Sequence, residues 1–367
     1  MVLVESFSKL HGQHLLGHSF LTLDKMGIQM CVRRCESYKG GCKSVNFDRD
    51  HLVCELNTYS STDKPEDMFE NPSSIYVQVN LTSDTGDCGT MQCSSLQRCV
   101  LTHSGPRCVR TGCEVPKIKN AIYNGGILLF RNSMECKTGY KSLSQVICED
   151  RGLNKNITAD FKCYKESSGW ILIYRSQTGL NTSDYQSFIT YGTSDETNEN
   201  FDDDQCATTA KSPLCTSDYR TSAIDQWESM NISQVRVQLH KSSTKVAEVV
   251  FNGTDTTKTS WFMPDRILSS SWADVTPTQS YNYFSIQGDT NGQYSWRNFQ
   301  IWHNYGGCPN DVFWMGSSFA VPGHGCPQEQ NSTKQYFYCP STTKCSFQNN
   351  RDIADVMTIS IKTLDGN

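Results

Sequence analysis

The distribution of cysteines constrains this chain more than any other feature of its sequence. Twelve of its eighteen cysteines lie between Cys31 and Cys163, in three consecutive groups of four. Even numbers of locally clustered cysteines are typical of small domains held by disulfide bonds in an oxidising compartment. The three groups are Cys31, Cys35, Cys42 and Cys54; Cys88, Cys93, Cys99 and Cys108; and Cys113, Cys136, Cys148 and Cys163. The sequence therefore predicts three small disulfide-linked modules in a row, at residues 1–80, 81–112 and 113–164, followed by a larger domain at 165–367.

Several features predict a secreted, extracellular glycoprotein. So many cysteines would be a liability in the reducing cytosol. No apolar run approaches the roughly 20 residues that span a bilayer, and the opening five residues are too short for a signal peptide, so we expect any signal to be removed or to lie outside the chain. Asn-x-Ser/Thr glycosylation sequons occur at six positions, which are Asn80, Asn156, Asn181, Asn231, Asn252 and Asn331.

The net charge of the chain bears on which class of partner it binds. The formal net charge is −5 over 367 residues, without a concentration of basic residues, and this argues against nucleic acid as the main partner. We expect an extracellular glycan or protein ligand instead. The oligomeric state stays open.

The first module combines a predicted helix with predicted strands. Residues 28–36 place Cys31 and Cys35 four positions apart, hence on one face of a helix. Residues 42–47 and 52–57 are strand-like, and Ile75, Val77 and Val79 alternate with other residues at the period of a half-buried strand.

Residues 5–80 resemble the PAN/apple family in the pattern Cys-x3-Cys, Cys-x-Ser-Val-Asn-Phe and Cys-Glu-Leu-Asn. The resemblance implies a curved sheet that holds one helix, with Cys31 paired to Cys54 and Cys35 to Cys42. It also implies binding of proteins or glycans, without saying which.

Three histidines in this module, His11, His14 and His18, suggest a metal site as one interpretation. The alternative is that they belong to a strand. Gly12 and Gly17 interrupt any regular helix there, and PAN domains often have a strand at this position. We favour the strand.

The next two modules resemble two other families. The spacing Cys88-x4-Cys93-x5-Cys99-x8-Cys108 is similar to a short EGF or follistatin-type module, which implies the pairs Cys88–Cys99 and Cys93–Cys108. A rigid spacer is the favoured role for so small a unit. Residues 113–164 resemble a sushi module through Cys-Glu-Val-Pro and Cys-Lys-Thr-Gly-Tyr, which implies Cys113–Cys148 and Cys136–Cys163. The tryptophan of that family is missing, with Leu153 near its place.

For the remainder of the chain, the sequence predicts a β-rich domain, either a twisted antiparallel sheet or a sandwich. Residues 234–240 and 357–362 alternate apolar and polar side chains, whereas 170–174 and 246–251 are apolar runs typical of buried strands. Long helical periodicity is lacking. The fold class is therefore mainly β, modular and disulfide-rich.

Six cysteines in this domain allow fifteen pairings, and local pairing is the most economical. It gives Cys206–Cys215, Cys308–Cys326 and Cys339–Cys345. The segments Ser-Ala-Ile-Asp-Gln-Trp at 222–227, Asp-Arg-Ile-Leu at 265–268 and Asn-Tyr-Gly-Gly-Cys-Pro at 304–309 are similar to a domain of secreted marine-invertebrate proteins, including coral skeletal organic matrix proteins. That family carries no known activity to transfer.

Two groups of residues are candidate binding sites. Asp202, Asp203 and Asp204 offer clustered oxygen atoms of the kind that calcium prefers, although acidic runs are often solvated loops. A polar and aromatic group would stack on sugar rings if its rings were exposed, although aromatic residues of a β domain often fill the core. This second group consists of Tyr294, Trp296, Arg297, Trp302, His303 and Tyr305, with Trp314 nearby.

Catalytic motifs are not apparent, because the cysteines are expected to be oxidised and no nucleophile elbow, zinc-protease, P-loop or dinucleotide pattern occurs. We therefore expect no cofactor other than calcium. The favoured function is extracellular recognition or adhesion, in a lectin-like or protein-binding manner. The alternative is a structural matrix protein of an egg coat, mucus, cement or biomineral, and a secreted enzyme is a third hypothesis.

Overall fold

The structure is a computed structural model that describes most of the chain. The described residues are 8–38, 41–79, 91–94, 96–102, 105–110, 112–122, 125–129, 132–149, 152–153, 161–288, 297–319, 326–327 and 333–364. They form a mainly β, disulfide-rich protein in which all paired strands of the larger sheets are antiparallel. The fold class expected from the sequence is confirmed.

The chain divides into two compact units. The first unit comprises Met1–Glu135 and Ser144–Phe161, and the second comprises Cys136–Leu143 and Lys162–Asn367. The division falls inside residues 113–164. As a result, the Cys113–Cys148 bridge belongs to the first unit and the Cys136–Cys163 bridge to the second.

A five-stranded sheet and one helix form the start of the first unit. The strands are β1 (Ser8–Leu15), β2 (Ser19–Leu23), β3 (Ser44–Asp48), β4 (Val53–Asn57) and β5 (Met68–Gln78), and the helix is α1 (Ile28–Glu36). Their order in the sheet is β1-β5-β3-β4-β2. A short 3₁₀ turn, Pro65–Asp67, precedes β5.

The helix packs on the sheet through a single apolar face. Cys31, Val32 and Cys35 of α1 are buried, and they join a core that includes Val45, Leu56 and Val77 of the sheet. The predicted half-buried strand is wrong in one respect. Strand β5 is buried on both faces from residue 75 to residue 77, because Ile75 and Val77 join the core beneath α1 and the segment at Ser61 covers the other face, where its amide donates to the Tyr76 hydroxyl at 2.6 Å.

Short strand pairs make up the rest of the first unit. They are β6 (Gln97–Thr102) with β7 (Gly105–Arg110), β8 (Gly112–Val115) with β9 (Gly126–Leu129), and β11 (Cys148–Glu149) with β12 (Gly152–Leu153). Strand β10 (Tyr140–Lys141) lies between them in the chain but belongs to the second unit. Val100 packs into the core of the five-stranded sheet.

The second unit contains two larger sheets. The first has the order β10-β13-β14-β25-β16-β17-β18, with β15 beside β14, and the second has the order β19-β20-β21-β22-β24, with β23 beside β21. The strands of the first sheet, besides β10, are β13 (Tyr164–Ser167), β14 (Trp170–Gln177), β15 (Tyr219–Arg220), β16 (Ile232–Lys241), β17 (Thr244–Asn252), β18 (Ile267–Ser270) and β25 (Val356–Thr363). Those of the second are β19 (Tyr283–Ser285), β20 (Arg297–Asn304), β21 (Val312–Ser318), β22 (Gln335–Tyr338), β23 (Cys345–Ser346) and β24 (Asp352–Ala354).

Helical structure in the second unit is short. It consists of α2 (Asp184–Ile189), α3 (Asp203–Cys206) and the 3₁₀ turns Ser222–Ile224, Trp227–Ser229 and Pro264–Arg266. Ser183 begins α2 by accepting a hydrogen bond from the Gln186 amide. None of the helices among the described residues is long and apolar enough to cross a membrane.

Both sheets of the second unit contribute to one hydrophobic core. Its aromatic centre is Trp261, which is fully buried against Phe188, Trp227, Phe251 and Phe262. Burial of such large rings accounts for much of the hydrophobic stabilisation of a domain of this size.

The alternation of apolar and polar residues predicts side-chain burial correctly in one strand and incompletely in another. In β16, Val235, Val237 and Leu239 are buried and the residues between them are half-buried. In β25, Thr358 and Ser360 are buried as fully as their apolar neighbours. The reason is that β25 lies between β14 and β16, whose larger side chains flank these residues: Arg175 and Gln238 pair with Thr358, and Leu172 and Arg236 pair with Ser360.

Disulfide bonds join eight of the nine pairs that the sequence suggested. They are Cys31–Cys54, Cys35–Cys42, Cys93–Cys108, Cys113–Cys148, Cys136–Cys163, Cys206–Cys215, Cys308–Cys326 and Cys339–Cys345. The ninth predicted pair is Cys88–Cys99, and Cys88 lies outside the described residues.

Candidate functional site

One face of α1 is exposed, and two disulfide bonds hold the helix in place. Cys31 ties the first turns of the helix to β4, and Cys35 near its end is tied to Cys42. The opposite face turns outward and carries the exposed residues Gln29, Met30, Arg33 and Arg34, which we call the α1 surface. The two bridges prevent rotation of the helix, so these four side chains keep fixed positions.

The α1 surface is positively charged. Arg33 and Arg34 lie in the last turn of the helix, where cations are favoured by the helix dipole. Among the described residues, neither arginine forms an ion pair, and Arg34 lies 5.9 Å from the centre of the Tyr38 ring. Met30 is 62% exposed and adds a flexible apolar side chain. This combination suits an anionic ligand with an apolar part.

The three histidines of the first unit do not converge on one point. His11 and His14 lie in β1 and His18 lies before β2. His14 contacts the Glu55 carboxylate at 3.3 Å, and His18 Nε2 contacts Asp67 Oδ2 at 2.7 Å. The strand interpretation therefore describes His11 and His14, whereas His18 follows the turn at Leu16 and Gly17; His14 and His18 each link their segment to a neighbouring one.

The acidic run at 202–204 is divided among different contacts. Asp202 caps α3 by accepting hydrogen bonds from the amides of Asp204 and Gln205, both at 3.1 Å. Asp203 accepts a hydrogen bond from the Tyr140 hydroxyl at 3.2 Å; burial, with the charge of Asp203 beside it, raises the pKa of that tyrosine. Within the described ranges, no three acidic, histidine or cysteine side chains are grouped as metal ligands.

Arg297 and Trp302 of the predicted sugar-binding group lie in the core, which is the alternative that the sequence left open for its aromatic residues. Trp302 is 1% exposed and packs against Phe313 and Phe347. Arg297 is also buried, and its guanidinium lies 4.4 Å from the Trp302 ring centre and 4.8 Å from that of Tyr305. The rings thus surround a cation of the protein itself, which leaves no face of Trp302 for a sugar.

The other members of that group have separate positions. Arg297 is neutralised by the buried carboxylate of Asp311 at 3.2 Å. His303 is half-buried and its Nδ1 lies 3.2 Å from the carbonyl oxygen of Ser280. Trp314 is fully buried and donates to Asp274. Tyr294 and Trp296 lie outside the described residues.

An open cleft in the second unit is a further candidate. It has a volume of about 480 Å³ and is lined by the chain around Trp227 and by Thr257, Lys258 and Thr259. Two of its charged groups are engaged, since Asp225 pairs with Arg220 at 2.5 Å and Lys258 donates to the Ile189 carbonyl at 2.9 Å. The cleft therefore presents neutral polar groups together with the exposed carboxylate of Glu228.

Three of the predicted sequons can be placed on the second unit. Asn181 and Asn231 are exposed, and Asn252 is half-buried, with its side-chain oxygen accepting a hydrogen bond from the Thr254 amide. Asn231 lies in a cleft of about 290 Å³ next to the one described above. The other three, Asn80, Asn156 and Asn331, lie outside the described residues.

Sequence reasoning missed a cluster of buried charges in the second unit. Lys334 is completely buried and contacts two buried carboxylates, those of Asp184 and Asp218, both at 3.0 Å. Although burial opposes ionisation of Asp218, the adjacent Lys334 ammonium and several hydrogen bonds lower the pKa of that carboxyl below its usual value. The sequence offered no signal for this cluster, because its members lie far apart in the chain.

Comparison with known proteins bears on the first unit. The sequence model of the PAN domain matches residues 6–81. No curated protein matches the chain. The match covers the five-stranded sheet, α1 and both of the bridges that hold the helix. Residues 6–81 of this chain therefore form a PAN domain, a protein- or carbohydrate-binding module, within a disulfide-rich architecture that fits extracellular binding or adhesion.

Proposed function

We propose that this protein is a secreted recognition or adhesion glycoprotein that binds a protein or glycan ligand. The observation that carries the proposal is the PAN domain at residues 6–81, whose helix α1 is tied to β4 and to the chain before β3 by two disulfide bonds. A fixed surface loses little conformational freedom on binding, which favours affinity. Eight disulfide bonds among the described residues support an oxidising, extracellular location.

The remaining modules extend the proposal. Residues 81–112 serve as an EGF- or follistatin-like spacer, residues 113–164 as a sushi-like module, and residues 165–367 as a β-rich domain similar to that of marine-invertebrate matrix proteins. Glycans on Asn181 and Asn231 would be accommodated at exposed positions of the second unit. These assignments rest on the sequence patterns.

The α1 surface is the proposed ligand contact. Arg33 and Arg34 are exposed on a helix that cannot turn, and Met30 lies beside them. A carboxylate- or sulfate-bearing ligand would form charge-assisted hydrogen bonds to the two guanidinium groups. Binding of this kind weakens as the ionic strength rises.

The experiment is a screen of the disulfide-intact protein against arrays of neutral and anionic glycans and of extracellular proteins. We expect saturable binding, and we expect the double variant R33E/R34E to weaken it about tenfold or more, a loss of about 1.4 kcal/mol or more. The double variant K9E/K25E is a matched control, because it changes the charge of the same domain equally at two other exposed positions.

Three other outcomes would change the proposal. Equal binding by both double variants would place the contact outside the α1 surface. Loss of binding in a chelator would support calcium at Asp202, Asp203 and Asp204, which D202N/D203N/D204N would reproduce. Absence of binding together with self-association or adsorption to mineral would contradict recognition and favour the matrix function.

A further inference from the structure

The cluster around Lys334 places an amine and two carboxyl groups together inside the second unit. Lys334 directly precedes β22, Asp184 is the first residue of α2, and Asp218 directly precedes β15. The Lys334 side chain is completely buried, and the side chains of Asp184 and Asp218 are 1% and 3% exposed. Three separate segments of the chain therefore meet at one water-excluded point.

The distances are those of reacting groups held in contact. Lys334 Nζ lies 3.0 Å from Oδ1 of Asp184, and 3.0 and 3.1 Å from the two oxygens of Asp218. These hydrogen-bond contacts hold Nζ beside the Asp184 carboxyl, and such fixed proximity is what accelerates intramolecular reactions. The amine is also 2.7 Å from the Ser176 hydroxyl, which further restricts its position.

The two carboxyl groups have different surroundings. Oδ1 of Asp184 accepts hydrogen bonds from the hydroxyls of Tyr174 and Tyr336, both at 3.0 Å. Burial raises the pKa of both tyrosines well above the usual value, so they remain donors. Two donors on one oxygen would stabilise negative charge that develops there when a nucleophile attacks the carboxyl carbon.

The carboxyl of Asp218 is held in the position of a proton acceptor. Ser176 donates to Oδ1, and Thr182 donates to Oδ2 at 2.9 Å. Both oxygens face the amine of Lys334. A carboxylate in contact with an ammonium group can take the proton that must leave before nitrogen attacks.

We propose that Lys334 Nζ and Cγ of Asp184 condense to form an intramolecular isopeptide bond, with Asp218 as the proton acceptor. Nζ passes one proton to Asp218, and its lone pair attacks Cγ of Asp184 to form the C–N bond. Asp218 delivers that proton to Oδ2 of the tetrahedral intermediate, then takes a second proton from the nitrogen and passes it to the same oxygen. The bond from Cγ to Oδ2 breaks, and Oδ2 leaves as water. Overall, one ammonium and one carboxylate become one amide and one water molecule, so that no oxidant, reductant or other reactant is needed.

The surroundings favour the amide over the separated charges. Burial of an ammonium and a carboxylate costs free energy that only good pairing offsets, whereas a neutral amide carries a smaller cost. Tyr174, Tyr336 and Phe188 exclude water from the site, since all three are fully buried. The bond would covalently join the start of α2 to the chain before β22.

The test is peptide-level mass spectrometry of the full-length secreted protein after complete reduction and alkylation. We expect a branched peptide that joins the Asp184 segment to the Lys334 segment and lacks the mass of one water molecule. We also expect Lys334 to resist an amine-reactive label after denaturation. Lys162 is the control, because its Nζ lies 3.7 Å from a carboxylate oxygen of Glu196 and it should be labelled.

Variants separate the roles of the two aspartates. D184A should abolish the branched peptide, D184N should form the same product with loss of ammonia, and D218A should reduce its yield at least tenfold. Separate linear peptides with a labelled Lys334 in the wild-type protein would overturn the proposal, whether or not the variants fold. A branch between Lys334 and Asp218 would overturn the assignment of Asp184 as the carboxyl that reacts.

Discussion

The two units of this chain are each stabilised by different interactions. The PAN domain has one modest core and two bridges that fix its helix at both ends. The second unit has a larger core that both of its sheets share, and inside it lie paired charges such as Arg220 with Asp225 and Arg297 with Asp311. Small domains bury too little apolar surface to be stable by packing alone, and cross-links compensate for this. The comparison indicates that disulfide bonds contribute more to the stability of the PAN domain than to that of the second unit.

The largest expected effect is in the core of the second unit. Substitution of Trp261 by alanine should lower the free energy of unfolding of this unit by about 4 kcal/mol, because a completely buried ring is replaced by a cavity. Hydrogen exchange, resolved by peptide, should show loss of protection in the second unit with the PAN domain unchanged. Equal loss in both units would contradict their separate stabilisation.

The next effect is in the PAN domain. The double variant C31A/C54A should lower its free energy of unfolding by about 3 kcal/mol, because the unfolded chain regains the freedom of the closed loop. Thermal unfolding monitored by proteolysis within residues 6–81 would measure this. The matched variant C206A/C215A opens a shorter loop of the second unit and should cost less. A larger loss of unfolding free energy in C206A/C215A than in C31A/C54A would contradict the inference that the PAN domain depends more on its disulfide bonds.

Acid should weaken the second unit through His240. Burial, together with the nearby charge of Arg236, lowers the pKa of His240 from 6.5 to about 4. The unfolded state then binds more protons than the folded state between these values, so stability is complete above pH 6.5 and falls as the pH drops towards 4. The loss at pH 4 should be at most about 3 kcal/mol.

Chemical denaturation of H240Q and of the wild type between pH 4 and pH 7 would measure this effect. The variant should have the flatter profile. The groups that face His240 are Thr358, which contacts Nε2 at 3.3 Å, and the charged residues Arg236, Lys245 and Glu248. Identical pH profiles for the two proteins would exclude His240 as the origin of the acid sensitivity.

The smallest effect is expected at a surface ion pair of the PAN domain. Lys43 Nζ lies 3.2 Å from Asp63 Oδ2, and both side chains are partly exposed. Substitution of Lys43 by methionine should lower the free energy of unfolding by about 0.5 kcal/mol, since water screens such pairs. A denaturation midpoint measured at low and high salt would test this, and an effect above about 2 kcal/mol would show that surface charge contributes more than we infer.

Local patterns in the sequence predicted local structure well. The spacing of Cys31 and Cys35 predicted a helix over residues 28–36. In the structure α1 begins at Ile28 and ends at Glu36. The alternation in β16 also gave its buried face correctly. In both cases the residues that determine the local structure lie on one face of one helix or strand.

Features that depend on several distant segments could not be predicted. Thr358 and Ser360 alternate with apolar residues as a solvated face would, yet both are buried beside larger side chains of β14 and β16. Trp302 looks like a sugar platform but packs against Arg297, Phe313 and Phe347, which reach it from strands β20 and β21 and from the chain after β23. The partners of Lys334 could not be predicted because Asp184 and Asp218 lie more than 100 positions away and reach it only through the fold.

Hydrogen exchange of the protein before and after complete reduction, resolved by peptide, tests the central contrast most directly. We predict that residues 8–79 lose most of their protection on reduction, whereas β14, β16 and β25 retain theirs because the shared core persists without disulfide bonds. Equal loss of protection in both regions, or greater loss in the central strands of the second unit, would contradict the account.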